Sequence, residues 1–370
     1  MCWMQHLLIL GVTLYGLLAT SSGFAANMLS VKNRSCHFIL DGKIEGGDAQ
    51  KFETTFVTEQ SNIQRRIDDG RPPDPSKMSG GRPRFLAETE IVTVCLNSEG
   101  GSFGEATKII EFMLDTGGVA TIVEDGQSCL SACSLIFMFG HITTYHEDKY
   151  FDRRLHVGGK LGFHAPYQSA DDAQYRQEII AKTYQAGINA FGRVLELDKN
   201  EFLARSLVIE FMKVGPGDFL YVDTVDRAGA YSIELIGVHQ PQELTSHMIS
   251  QACDNEEEWD ERRKTREFNI NKYVSKKESS GAAISFVSGL HRSVLQGYGD
   301  EGSSFCVATV RRLAPASFLM SIKIQPTRPM QGKVSRDDLA EGRGLIVPGF
   351  GEQKPIWFVY DRSTKLSALR

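Results

Sequence analysis

Three short segments of this chain carry residue types suited to acyl transfer: Asn97-Ser98-Glu99-Gly100-Gly101-Ser102, Cys129-Leu130-Ser131-Ala132-Cys133-Ser134 and Gly162-Phe163-His164-Ala165-Pro166. Ser131 follows a turn, Glu124-Asp125-Gly126-Gln127, and precedes the apolar run Ala132 to Phe139, so it falls at the mouth of a helix. A helix N-terminus exposes unsatisfied N–H groups and the positive end of the helix dipole, so the amide of Ala132 is placed to receive a developing oxyanion. Gly101, with no Cβ, lets its own N–H approach the same oxygen. His164 stands in a strand-like run beside a proline and is the candidate base that a serine hydroxyl needs. Each residue also has a plainer reading. A serine there is a favoured N-cap, a Gly-Gly pair after a strand is a turn, and an isolated histidine is a hydrogen-bonded core or rim residue. His141, His146 and His156 show no metal-ligand spacing and read as surface or loop residues. No metal or cofactor is implied.

The elements that must position these groups follow from periodicity. Glu90 to Leu96 and Val119 to Val123 are β-branched runs bounded by turn residues, as buried parallel strands are. Between them, Ala106, Ile109, Ile110, Met113 and Leu114 recur at helical spacing, and Gly117-Gly118 ends that helix. Strand, helix, strand, helix in succession implies an α/β fold with a parallel sheet and right-handed crossovers. His37 to Ile44 reads as an earlier strand, residues near Glu59 to Ile67 as a helix, and Asp69 to Pro83 as a loop dense in chain breakers. Helices are expected over about 170–187 and 190–213. The charged run from Asp254 to Lys264 reads as a solvated helix opening a linker, 248–281. Beyond it, Ala283 to Val287, Phe305 to Val310, Phe318 to Ile324 and Ile356 to Tyr360 are short strand-like runs, which predict a small β-rich domain over 282–370.

With 370 residues the chain is long enough for two domains, and its 41% apolar and 24% charged residues are those of a folded globular protein. A net charge of −5 without a basic face argues against nucleic acid. Residues 1–25 have a signal-peptide outline: an apolar run from Leu7 to Ala19, too short for a comfortable span, then small residues to Ala25. Its n-region lacks Lys and Arg. Cleavage after Ala25 leaves no membrane span and predicts an exported, periplasmic or secreted, protein that keeps six of the seven cysteines. In an oxidising compartment an even count permits disulfides. Cys129 and Cys133 are within bridging reach if Cys133 is helical; a bridge pinning the serine's turn, two small core residues and a cysteine nucleophile are the alternatives. Cys253 and Cys306 are candidates to tie the linker to the β-rich part.

Taken together, the glycine turn, the Ser131 helix ending Phe137-Met138-Phe139-Gly140, and Gly162-Phe163-His164-Ala165-Pro166 resemble, in order, the three motifs of the Clp protease proteolytic subunit and of exported Clp-like proteins of the crotonase-like superfamily. The resemblance covers roughly Phe38 to Ile236. It implies a ClpP/crotonase-like sheet over 27–247, Ser131 as nucleophile, His164 as general base, the N–H groups of Gly101 and Ala132 as oxyanion hole, a peptide or protein substrate, and a homo-oligomer. The chain departs from the family at Glu99, which replaces a proline, and in an insertion around Tyr145 to Gly159. The family's aspartate position falls near Val214, leaving Asp218 as the substitute from the same loop. A Ser–Lys dyad would need Lys160 or Lys182. The expectation is therefore an exported, ATP-independent serine peptidase-like hydrolase. Its rival is an inactive scaffold or binding protein of the cell envelope, with a CoA-binding crotonase activity a weaker third.

Overall fold

In the computed structural model the described residues are 25–31, 35–72, 90–143, 149–167, 177–215, 217–264, 284–288, 291–298, 304–314, 317–326 and 353–370. The apolar leader, His146 and the linker residues from 265 to 281 lie outside them. The chain is a mixed α/β fold with helices packed on its sheets. The first sheet contains β1 (Asn27–Ser30) and β2 (Phe38–Asp41), and α1 (Asp48–Asp68) then leads to β3 (Thr93–Asn97). After α2 (Phe103–Asp115) come β4 (Gly118–Val123), the short β5 (Ser128–Leu130), α3 (Ala132–Met138), the hairpin of β6 (His141–Thr143) and β7 (Lys149–Phe151), β8 (Arg153–His156) and β9 (Lys160–Phe163). Helices α4 (Gln177–Leu197) and α5 (Arg205–Phe211), β10 (Leu220–Tyr221), α6 (Val225–Ala230) and β11 (Glu234–Ile236) complete this part.

The expected parallel sheet is present: β2, β3, β4, β8 and β11 pair in parallel in that order, β1 adds antiparallel to β2, and the β6–β7 hairpin joins β4. Its central strand β4 is buried at every position, as a strand covered on both faces must be. Alternation splits β3 between two faces. Val94 and Leu96 enter the main core, whereas Cys95 turns the other way, against Ile39, Ile122 and Cys36. A second, three-stranded sheet pairs β9 in parallel with β5 and antiparallel with β10. A bridge from Ser98 to Cys129 joins the two sheets, so the end of β3, the serine strand and the histidine strand run side by side. The buried guanidinium of Arg153 donates to the carbonyls of Met138, Phe202, Tyr231 and Ser232, which holds the end of α3 to the later segments.

Several expectations change. The two helices read over 170–213 are α4, which runs unbroken through Gly187, and the short α5. His141 is not a surface residue: it is fully buried on β6, its Nδ1 meets the Phe139 carbonyl at 2.8 Å, and burial pushes its pKa down to about 4. His156 is half-buried, its Nδ1 receiving the Gly158 N–H.

The charged run is indeed helical, as α7 (Ser246–Lys264), but it is not a solvated linker. Ile249, Ala252, Cys253 and Trp259 on one face are completely buried. A third sheet is antiparallel throughout, β12 (Ile284–Ser288), β13 (His291–Tyr298), β14 (Ser304–Ala314), β15 (Ser317–Pro326) and β16 (Gln353–Lys354). The Cys253–Cys306 disulfide fastens α7 to β14. The strand expected at Ile356 to Tyr360 is a 3₁₀ turn, Ile356–Val359, and it packs on α7, Trp357 and Phe358 against Trp259. From there the chain returns to the first part: Asn255 donates to the Phe358 and Tyr360 carbonyls, Leu366 N–H to Asp223, His239 N–H to Leu369, and Arg370 pairs with Asp125.

Candidate active site

Ser131 sits between β5 and α3 with φ 56° and ψ −125°. A non-glycine residue in that region is strained by about 1–3 kcal/mol, and such strain persists only where the surroundings impose it. The plain N-cap reading is excluded, since a cap is extended and its side chain accepts from the first turn, and Ser131 does neither. A serine on a sharp, strained strand-to-helix turn is instead the geometry that exposes a nucleophile's Oγ.

What imposes the strain is visible in the neighbouring bonds. The Leu130 N–H donates to the Ser98 carbonyl and the Ser131 N–H to the Gly162 carbonyl, so the serine is tied to the glycine turn on one side and to the histidine strand on the other. Cys129 and Cys133 are joined in a disulfide, both completely buried, that closes a loop around Leu130-Ser131-Ala132. This selects among the three readings of that pair. A bonded sulfur is no nucleophile.

The glycine turn meets the serine turn directly. A Cβ on Gly100, φ 98°, would lie 2.6 Å from both the Leu130 carbonyl oxygen and Ser131 Cβ. A Cβ on Gly101, φ 137°, would lie 2.2 Å from the Ile44 oxygen. Both positions therefore demand glycine. Ile44 donates to the Gly100 carbonyl and accepts from the Ser102 N–H. In a parallel bridge of this kind the middle residue's own N–H faces away from the bonded strand, so that of Gly101 turns from Ile44 toward the serine side. Among the described residues neither the Gly101 nor the Ala132 N–H has an acceptor. Ser102, just beyond, caps α2 by accepting from the Glu105 N–H. Glu99, on the same turn, is exposed.

His164 follows β9 and lines one pocket with Ser131, Ala132, Phe103, Leu135 and Phe211. The two side chains are thus on the same side of the molecule, although among the described residues no hydrogen bond joins them. Its ring lies against Tyr167 and Phe219, each with centroids 5.0 Å away. Nδ1 is 2.7 Å from the Ala165 carbonyl oxygen. A carbonyl carries no proton, so Nδ1 must be the donor, and in the neutral ring the lone pair is then on Nε2.

Among the described residues that carbonyl, and no carboxylate, holds the His164 ring nitrogen. Val214 does come beside the histidine segment, its carbonyl accepting the Ala165 N–H at 3.2 Å, but an isopropyl group cannot orient an imidazole. Asp218 is exposed on the same loop; its amide donates to Gly215, and no side-chain bond to His164 is present among the described residues. Sequence reasoning missed the Ala165 carbonyl, and no signal could have revealed it, because every residue has one. Lys160 and Lys182 are both exposed, the latter paired with Glu178, and neither lines the pocket. The remaining disulfides are Cys253–Cys306, as anticipated, and Cys36–Cys95, which sequence left unassigned. Among the described residues, the metal-ligand atoms that cluster are those of Cys36, Cys95 and Glu124. The two sulfurs are bonded to each other and have no thiolate to offer.

The geometry, then, offers a half-buried hydroxyl, an imidazole with a fixed tautomer and, among the described residues, two unspent amides. No protein-family model matches the chain, and no curated protein matches it.

Proposed function

We propose that this protein is a serine hydrolase of the peptidase type, exported from the cell and built on the Clp protease and crotonase-like plan that its three motifs resemble. The observation that carries the reading is the strained turn of Ser131, which has no capping duty and shares a pocket with a histidine whose Nδ1 is already committed to a carbonyl. In this reading Ser131 Oγ attacks a substrate carbonyl carbon while Nε2 of His164 takes its proton. The oxygen's developing charge is received by the N–H groups of Gly101 and Ala132. The imidazolium then gives that proton to the leaving group as its bond to carbon breaks, and water repeats the sequence on the acyl-enzyme. The Ala165 carbonyl fixes ring and tautomer as a carboxylate would, but brings no full negative charge to the imidazolium. Turnover slower than that of an aspartate-containing triad is the consequence. Three buried disulfides support an oxidising destination. The substrate is a peptide or protein, and self-association is part of the reading.

Among the described residues no carboxylate bonds His164, which favours a second reading, a scaffold that has kept the fold without turnover. A fluorophosphonate probe separates them. Labelling of the oxidised wild type, lost in Ser131→Ala, supports the hydrolase; a folded, unlabelled wild type supports the scaffold.

A further inference from the structure

The pocket beside Ser131 is walled by Phe103, Leu135, Phe163, Pro166 and Phe211, opens on one side to solvent, and holds a void of about 20 Å³. That is room for a single water-sized or methyl-sized group. Its polar members are spent or are the reacting groups themselves: the Ser134 hydroxyl donates to the Ser131 carbonyl at 2.6 Å. The wall is also braced from behind. Phe211 stacks on Phe163 with centroids 6.0 Å apart, and Phe191 of α4 meets Phe211 at 5.8 Å and Phe103 at 6.4 Å. Rings held on several sides do not swing aside freely, because packed interiors resist deformation.

We propose that this site selects a small apolar acyl group, acetyl or an alanyl residue, on the carbonyl carbon that Ser131 attacks. The inference rests on the hydrolase reading above. Once the oxygen lies between Gly101 and Ala132 and the leaving group faces His164 to collect its proton, the third substituent of the carbon is the one left for the apolar void. A methyl fills it. A butyryl chain, a leucyl or a phenylalanyl side chain requires Phe103 or Phe211 to move. The transfer is balanced: the bond from Ser131 Oγ to the acyl carbon forms as that to the leaving group breaks, and the serine's proton ends on the leaving group. The acceptance of acetyl esters and alanyl peptides has one origin, and the two arms of the test tell them apart.

Full-length oxidised protein is assayed with p-nitrophenyl acetate, butyrate and octanoate, each normalised to its uncatalysed hydrolysis, and with alanyl, leucyl and phenylalanyl peptide amides. Fluorophosphonate labelling is run on the same sample. The expected result is kcat/KM for the acetyl ester, the alanyl amide or both at least about tenfold above the longer homologues, since methylene discrimination in an apolar pocket runs from about 10- to 200-fold. Phe103→Ala, which removes one wall, shifts the optimum to butyrate or leucyl. Labelled protein that prefers octanoate or phenylalanyl substrates, or an unchanged optimum in folded Phe103→Ala, overturns the size selection and leaves the hydrolase reading standing. Protein that is neither labelled nor active overturns both.

Discussion

Replacing Gly101 by alanine tests the proposed oxyanion donors through the backbone alone. The new Cβ lies 2.2 Å from the Ile44 oxygen and 3.0 Å from its nitrogen and carbon. Ordinary contact begins near 3.4 Å, so the turn has to retreat by about 1 Å, against backbone atoms that sit inside a bonded bridge. Retreat breaks or stretches two hydrogen bonds, Ile44 N–H to Gly100 and Ser102 N–H to Ile44, at about 1 kcal/mol each. An L-residue at φ 137° adds about 1–3 kcal/mol of strain. Together these amount to about 3–5 kcal/mol of stability. The Gly101 N–H turns off its target in the process, and loss of one oxyanion donor costs about 10²–10³ in rate. The assay is the second-order rate of fluorophosphonate labelling, at a temperature where circular dichroism finds wild type and variant equally folded. Gly104→Ala, whose added Cβ finds only the Ser102 hydroxyl, at 4.0 Å, should leave labelling unchanged and raise stability by about 0.5–1 kcal/mol as a helical Gly→Ala change does. A folded Gly101→Ala protein labelled within twofold of wild type would refute the assignment of that amide.

The three disulfides should separate stability from labelling. On a chain-entropy basis the Cys36–Cys95 and Cys253–Cys306 bridges, with separations of 59 and 53 residues, each contribute about 4 kcal/mol, and Cys129–Cys133, with a separation of 4, about 2 kcal/mol. Paired Cys→Ala changes at 129 and 133 are therefore expected to lower Tm least and labelling most, and the reverse order would remove the bridge's role in holding the serine turn. The neutral, buried His141 predicts acid sensitivity. Its folded pKa of about 4 lies below the ordinary imidazole value of 6.5, so the unfolded chain takes up the proton first, and this contribution is complete above pH 6.5 and fades as pH falls toward 4, by about 3 kcal/mol in all. Asp198, whose pKa burial raises to about 6, acts in the opposite sense over the same range. Stability should thus fall more steeply from pH 7 to pH 4 in Asp198→Asn than in wild type, and an identical pH profile would show that Asp198 is not buried in solution.

The parallel strands and the helix between them were legible because β-branched runs and helical spacing are local properties: Thr93–Asn97, Phe103–Asp115 and Gly118–Val123 fall where the pattern places them. The meeting of Ser131 with His164 was legible only by resemblance, since residues far apart in sequence carry no mutual periodicity. The Ser131 dihedrals were not legible at all. Strain at one residue is imposed by the Gly162 and Ser98 bonds and by the disulfide, and none of these appears in the serine's own neighbourhood of sequence. Helix α7 fails for a different reason. Its burial signal, Ile249, Ala252, Cys253 and Trp259, was present, but composition gave the ten charges and amides around Trp259 more weight than the spacing of its apolar residues. The Cys36–Cys95 bond had no signal, because a pairing across 59 residues is decided by the sheet register.

The return of residues 355–370 to the first part of the molecule bears on the order in which the chain can fold. Trp259 finds its aromatic neighbours Trp357 and Phe358 about a hundred positions downstream, and the Tyr221–Val225 segment gains its edge partner from Thr364 to Leu366. A nascent chain leaving the ribosome holds an open hydrophobic seam until those residues emerge, and contacts of such long sequence separation form slowly. Changes made at residues 355–370 thus act directly on the first part of this protein, where Leu366, Leu369 and Arg370 meet Asp223, His239 and Asp125.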